Sequence, residues 1–242
     1  FPFEVPLYTQ KKVNVKFTGH PLIDLVKLSF NRQEALNYFN LDQDKTTIGL
    51  LPGSRDGEIA SMLPPMLEAA EILTHHTERF QFVLPMAQTC DESHLYRILH
   101  QYQVQVSVFK DHYYDLLHIS DFLVVASGTA TLEAALLGIP MVIVYRTSAL
   151  TYLIARFLVS IKHIGLANIV AEKQIVPELI QDQMTPQRIA REVLAVLEDP
   201  ARMSLMRQEL LQVKNKLGEP GASLRVAQLA HELMLTRGGH RD

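Results

Sequence analysis

The chain has a single cysteine, Cys90, among its 242 residues. One thiol cannot close an internal disulfide, so a reducing cytosolic compartment is expected. Long apolar runs are missing as well. The longest, over residues 132–145, is interrupted by Gly138 and Pro140, and a bilayer span needs roughly 18 residues. No signal peptide is expected in a chain without an initiator methionine, and the opening Phe1-Pro2-Phe3-Glu4 reads as the middle of a protein. A fragment lacking its N-terminal part is therefore expected. Excess charge is scarce: a net charge of −3 gives no reason to expect a nucleic-acid partner. Repeats and low-complexity segments are absent. What is present, 48% hydrophobic and 20% charged residues, is the composition of a foldable globular protein. The length suits one large α/β domain or one and a half smaller ones.

Short β-rich runs alternate with helical patterns, which predicts a parallel sheet covered on both faces. Strands are expected at residues 47–51, 81–84, 104–108, 122–125 and 141–145. The first helix is expected to be led by Pro64 and Pro65, which suit a first turn rather than an interior. Further helices are expected at 92–100, 113–119 and 129–137, the last closed by Gly138 as C-cap and Pro140 as stop signal. This alternation builds a doubly wound sheet of Rossmann type. Beyond it, residues 150–160, 186–197, 201–217 and 223–235 read as helices, a helical C-terminal tail. Near the start, residues 13–18 read as a strand, Gly19-His20-Pro21 as a break and residues 22–28 as a short helix. The expected division is 1–40 as the end of a preceding domain plus a linker, 41–200 as the Rossmann-like domain, and 201–242 as C-terminal helices.

Ligands of parallel sheets sit beyond the carboxyl ends of the strands, which singles out two loops. The first is Leu51-Pro52-Gly53-Ser54-Arg55. Gly53 can take backbone angles closed to other residues and lets a ligand approach closely. Ser54 offers a hydroxyl, and Arg55 a guanidinium suited to phosphate. Taken alone, this short pattern is equally an ordinary turn with a solvated arginine. The second loop is Ala126-Ser127-Gly128-Thr129-Ala130-Thr131, with Glu133 one turn further on. Ser127 or Thr129 is expected to cap the helix, leaving N–H groups that face an anion such as a diphosphate. Glu133 is expected to reach back to the two hydroxyls of a ribose. The alternative is a capping box, in which the acid satisfies only the helix end. A capping box needs neither Gly128 nor a run of small residues, which favours the phosphate site.

The stretch Ser127-Gly128-Thr129-Ala130-Thr131-Leu132-Glu133-Ala134, through Gly138-Ile139-Pro140, is similar to the nucleotide-binding signature of GT-B glycosyltransferases. Gly19-His20-Pro21, Leu50-Leu51-Pro52-Gly53-Ser54-Arg55 with Glu58, the Ser-Gly-Thr loop, Tyr145-Arg146 and Leu166-Ala167-Asn168 follow in this order. Together they resemble the lipid-A-disaccharide synthase family over nearly the whole chain. The resemblance implies a GT-B fold, of which this chain is the C-terminal, donor-binding half, with the N-terminal domain largely missing. It also implies an inverting, metal-free hexosyl transfer in lipid A biosynthesis. UDP-2,3-diacylglucosamine is joined to the acylated glucosamine 1-phosphate acceptor, 2,3-diacylglucosamine 1-phosphate, giving lipid A disaccharide and UDP. Arg55, Glu58 and Asn168 match family residues tied to activity or UDP binding, with Arg55 and Glu58 the catalytic candidates. Ser127, Gly128, Thr129 and Glu133 match the phosphate and ribose site, and Gly53 and Ser54 join it through the first loop. The family typically has Leu-Pro-Asn where this chain has Leu166-Ala167-Asn168. The general base, an aspartate, belongs to the missing half, so the fragment alone is expected not to turn over. No cofactor is expected beyond the UDP-sugar substrate. The implied location is cytoplasmic and peripheral on the inner face of the bacterial inner membrane, with that surface and a second copy of the chain as partners. Two rival readings are a UDP-sugar 2-epimerase of the same architecture and a non-catalytic nucleotide-sugar-binding module.

Other residues carry weaker signals. His20 either touches substrate or holds two domains in register. His75 and His76 close a helix, where cations are favourable without any chemistry. His112, His118 and His163 lack a paired acid or cysteine at ligand spacing, so no metal site is expected. Cys90 has no histidine partner. Arg146, after a strand end, is expected to meet phosphate or substrate, or else to form a salt bridge at the domain surface. Residues 150–162 mix Tyr152, Phe157 and Leu158 with Arg156 and Lys162, a basic amphipathic stretch suited to an anionic membrane surface or to a packed helix.

Overall fold

The computed structural model describes residues 1–147 and 163–238. Six strands are hydrogen-bonded in parallel: β1 Thr46–Leu51, β2 Phe80–Pro85, β3 Val106–Phe109, β4 Phe122–Ala126, β5 Met141–Tyr145 and β6 Glu178–Ile180. Their order across the sheet is β3-β2-β1-β4-β5-β6. The chain winds outward from β1 to β3, returns to β4, and winds outward again. The order reverses between β1 and β4, and a crevice opens at such a switch point beyond the strand ends. All five residues of β4 are buried, as expected of an apolar strand covered on both faces.

The helices are α1 Glu4–Gln10, α2 Leu22–Leu25, α3 Arg32–Tyr38, α4 Asp56–His76, α5 Glu92–Leu99, α6 Tyr113–Ile119, α7 Ala130–Leu136, α8 Leu166–Ala171, α9 Pro186–Leu197, α10 Pro200–Lys216 and α11 Ala222–Gly238. The five expected strands are present. Gly138 ends α7 at φ +67, and the Gly138 and Ile139 N–H groups donate to Ala135 and Ala134 carbonyls, both at 3.0 Å. The helix expected at 150–160, and the amphipathic stretch with it, lies outside the described residues.

Two expectations are corrected. Pro64 and Pro65 do not open a helix but stand well inside α4, whose first turn holds Asp56 and Glu58. Each interior proline costs about 3 kcal/mol. Ile59, Met62, Leu63, Met66, Leu67 and Leu73 of the same helix are buried in the core, each worth about 1.5–3 kcal/mol, so burial outweighs the missing donors. The other correction concerns residues 13–18, which form no strand. β-propensity needs a partner edge, and this segment leads instead to contacts with the start of the last helix. The Arg225 Nε donates to the Thr18 carbonyl at 2.8 Å, and the Gly221 N–H donates to both Asp24 carboxylate oxygens at 2.9 and 3.0 Å.

The sequence reading omitted α1, α3, α8 and β6. Of these, α3 had a legible start. Asn31 and Glu34 form a reciprocal capping box, the Asn31 side chain accepting from the Glu34 N–H and the Glu34 carboxylate from the Asn31 N–H. Among the described residues no helix is long and apolar enough to cross a membrane.

Candidate functional site

A cavity of about 590 Å³ lies at the switch point, lined by the loops that follow β1, β2, β3 and β4. Its walls include Gly53, Ser54, Arg55 and Glu58 on one side and Ser127, Gly128, Thr129 and Glu133 on the other. Eight of the nine sequence-predicted residues therefore come together here, from loops more than seventy residues apart in the chain.

The β1 loop is braced by Glu58. Its carboxylate accepts from the Ser54 N–H at 3.1 Å and from the Arg55 guanidinium at 2.8 Å. Gly53 sits at φ +115, and a Cβ there would overlap the Glu58 carboxylate and lie 2.9 Å from its Cβ. Glycine is thus required by both backbone angle and space. Thr89 adds a tie from the β2 loop, its hydroxyl donating to the Ser54 carbonyl at 2.9 Å. The Arg55 side chain is 82% exposed, so apart from Glu58 it is free to turn to a ligand.

The β4 loop is held differently, and the expected cap is corrected. Neither Ser127 nor Thr129 caps α7: Thr129 stands at the N-cap with helical angles and makes no side-chain cap bond, which removes the geometry a cap needs. The Ser127 hydroxyl donates instead to the Ile164 carbonyl at 3.0 Å, and its N–H donates to the Val144 carbonyl at 3.0 Å. The N–H groups of Gly128, Thr129 and Ala130 donate to no described residue. A Cβ on Gly128 would meet nothing within 4 Å, so the loop faces open space with its donors uncommitted.

Glu133 is not part of a capping box. One carboxylate oxygen accepts the Tyr113 hydroxyl at 2.8 Å and the other the Tyr114 hydroxyl at 3.1 Å. Burial, and then the Glu133 charge, push the Tyr113 phenol well above its ordinary pKa and the Tyr114 phenol up to about 12. Both phenols therefore stay protonated donors at neutral pH. A carboxylate has about four lone-pair sites, so Glu133 keeps acceptor capacity for a ligand's hydroxyls.

Asn168 is the residue that does not join the cavity. It is completely buried. Its amide donates to the Val176 carbonyl at 2.9 Å and to Glu178 at 2.8 Å, while its oxygen accepts from the Ile175 and Val176 N–H groups at 2.8 and 3.1 Å. With its bonding filled from within the protein, it cannot contact a ligand directly.

Sequence reasoning missed Lys110 and Tyr113 on the cavity wall. The signal was available, because Lys110 directly follows the carboxyl end of β3. Its ammonium is paired with Glu92 at 2.6 Å. Three other candidates do not line the cavity. Arg146 donates to the Met184 carbonyl at 2.8 Å. His20 accepts from the Leu22 N–H at 3.2 Å, away from the cavity. The Cys90 thiol is pushed up by burial and by Asp56, Asp91 and Glu92, the opposite of an activated nucleophile. Among the described residues no cluster of three or more His, Cys, Asp or Glu side chains could hold a metal ion.

Comparison with known proteins adds the following. A sequence model of the family described as lipid-A-disaccharide synthetase matches residues 1–233. The lipid-A-disaccharide synthase of Syntrophus aciditrophicus is 49% identical over 234 residues, which are 96% of this chain and 61% of that protein. The chain thus spans about three fifths of the length of the curated relatives it matches. Among solved structures, the UDP-GlcNAc 2-epimerase of Neisseria meningitidis bound to UDP-GlcNAc superposes with a TM-score of 0.59 at 15% identity, over 93% of this chain and 57% of that one. WaaG, a glycosyltransferase involved in lipopolysaccharide biosynthesis, gives a TM-score of 0.54 at 12% identity, over 82% of this chain and 50% of that one. At such identities the likeness shows the fold, a GT-B glycosyltransferase-like parallel sheet.

Proposed function

Since the chain belongs to the lipid-A-disaccharide synthetase family, we propose that it is the part of such an enzyme that grips the UDP-sugar donor, UDP-2,3-diacylglucosamine. The observation that carries this reading is the cavity at the switch point, with uncommitted N–H groups on one wall and a tyrosine-held carboxylate beside them. The Gly128, Thr129 and Ala130 N–H groups meet the diphosphate. Glu133 accepts from the ribose hydroxyls. Arg55 leaves Glu58 to counter the charge that develops on the diphosphate as the glycosidic bond breaks. Glu58 acts through the loop it braces, and Gly53 and Ser54 shape that loop.

The reaction is inverting displacement at the anomeric carbon, with the acylated glucosamine 1-phosphate as acceptor and lipid A disaccharide and UDP as products. Residues 41–200 form the nucleotide-sugar-binding unit, 201–242 the C-terminal helices, and 1–40 the link to the remaining part of the enzyme, which supplies acceptor and base. A peripheral location on the inner face of the bacterial inner membrane, and a homodimer, complete the proposal. The epimerase reading has weaker support, because 49% identity to a synthase outweighs 15% to an epimerase.

Calorimetry of the chain with UDP and with inorganic diphosphate, each with and without EDTA, tests the reading. UDP is expected to bind in the presence of EDTA. Glu133→Ala is expected to weaken UDP by roughly 1.5–3 kcal/mol, the worth of a hydrogen bond to a charged group, while leaving diphosphate nearly unchanged. Equal losses for both ligands would remove the ribose role, and binding abolished by chelation would overturn the metal-free site.

A further inference from the structure

Asn168 and Glu178 lie off the cavity wall, yet a continuous run of hydrogen bonds joins them to it. The Glu178 carboxylate, on the edge strand β6, accepts the Ile164 N–H at 2.9 Å, the Gly165 N–H at 3.0 Å and the Asn168 amide at 2.8 Å. The Ile164 carbonyl then accepts the Ser127 hydroxyl at 3.0 Å. The Asn168 end is anchored by its three bonds to the Ile175 and Val176 backbone. Packing keeps the middle of the run in place, because a Cβ on Gly165 would overlap the Ile143 side chain and crowd the Glu178 carboxylate at 3.2 Å.

Two N–H groups and an amide converge on one carboxylate here. Such a site tolerates no neutral isostere well, since an amide would set N–H against N–H. Ser127 is the only residue of the β4 loop whose side chain is tied to this run. Beyond the Ser127 N–H bond to the Val144 carbonyl, the loop's position therefore depends on whether Ile164 is held.

We infer that Glu178 and Asn168 are positioning residues: without touching the ligand, they fix the Ser127-Gly128-Thr129 loop through Ile164. The inference rests on the proposed nucleotide site for its consequence, but the coupling itself is a property of the ligand-free chain. It also gives Asn168 a part in binding that its burial denies it as a direct contact.

A double-mutant cycle separates this role from general support of the fold. Ser127→Ala cuts the run at the loop and leaves the buried end untouched, while Glu178→Gln cuts it at β6. Amide hydrogen exchange is read in the ligand-free chain at Ser127, whose N–H is bonded to the Val144 carbonyl, alongside UDP titration of the same proteins. Each single variant is expected to speed exchange at Ser127 and to weaken UDP about tenfold, the scale of one hydrogen bond. The double variant is expected to match either single. Multiplying losses, or a Glu178→Gln variant with unaltered exchange at Ser127, would overturn the coupling. If Glu178→Gln fails to fold, Glu178→Asp, which keeps the charge but draws it back from the Ile164 and Gly165 N–H groups, takes its place in the cycle. Unchanged exchange coupling in a chain that never binds UDP would overturn the proposed function instead.

Discussion

The two loops that face each other across the crevice are built on opposite plans. In the β1 loop the polar groups are turned on themselves: Glu58 takes up both the Ser54 N–H and the Arg55 guanidinium. In the β4 loop the side chain of Ser127 is tied outward, and three successive N–H groups are left without a partner among the described residues. One loop has its arginine drawn toward an ion pair, from which the exposed side chain turns or shares its donors when a ligand arrives. The other is already arranged for an anion. Preorganised donors contribute most because nothing has to move when charge appears, so the β4 loop is expected to hold the ligand and the β1 loop to respond to it.

The two glycines give the largest contrast. Gly53→Ala places a Cβ on the Glu58 carboxylate at φ +115. Left-handed backbone strain and overpacking together suggest a loss of about 2–4 kcal/mol. Thermal unfolding should show a fall of roughly 10 °C, and an unshifted curve would mean the brace yields freely. Gly128→Ala meets no protein atom within 4 Å and should leave the unfolding temperature nearly unchanged. It should nevertheless weaken UDP more than about tenfold, because the methyl group fills the space in front of the free donors. Unchanged UDP affinity would show that ligand does not approach this loop. The smallest effect is expected from Arg55→Ala. An exposed ion pair is worth about 0–1 kcal/mol, so stability should hold, and UDP affinity of the chain should fall only about threefold. A loss as large as that of Gly128→Ala would erase the distinction between the loops.

The sheet was legible in the sequence because its buried strands are continuous apolar runs punctuated by glycine and proline, and β4 and β5 show the pattern at full strength. β6 was not, since three residues carry too little periodicity. The crevice residues were legible because they follow strand ends, a rule that would also have yielded Lys110. Two features were hidden for a physical reason. The prolines of α4 obey core packing rather than local propensity. Asn168 carries a residue type that serves ligands and buried turns equally well, and only its neighbours in space, Val176 and Glu178, decide between them.

The contact between the Asp24 carboxylate and the Gly221 N–H spans 197 positions of the chain. Together with the Arg225 grip on Thr18, it means that Leu22, buried in the core, is flanked by two ties that form only when residues 221–225 arrive. During synthesis at about 5–20 residues per second, that delay is on the order of 10–40 seconds. Most of the sheet can form in that interval, whereas Thr18 and Asp24 wait for these two partners. Their docking is therefore a late, long-range closure step. Closing a separation of 197 residues costs chain entropy before any contact repays it, and contacts of that range form slowly.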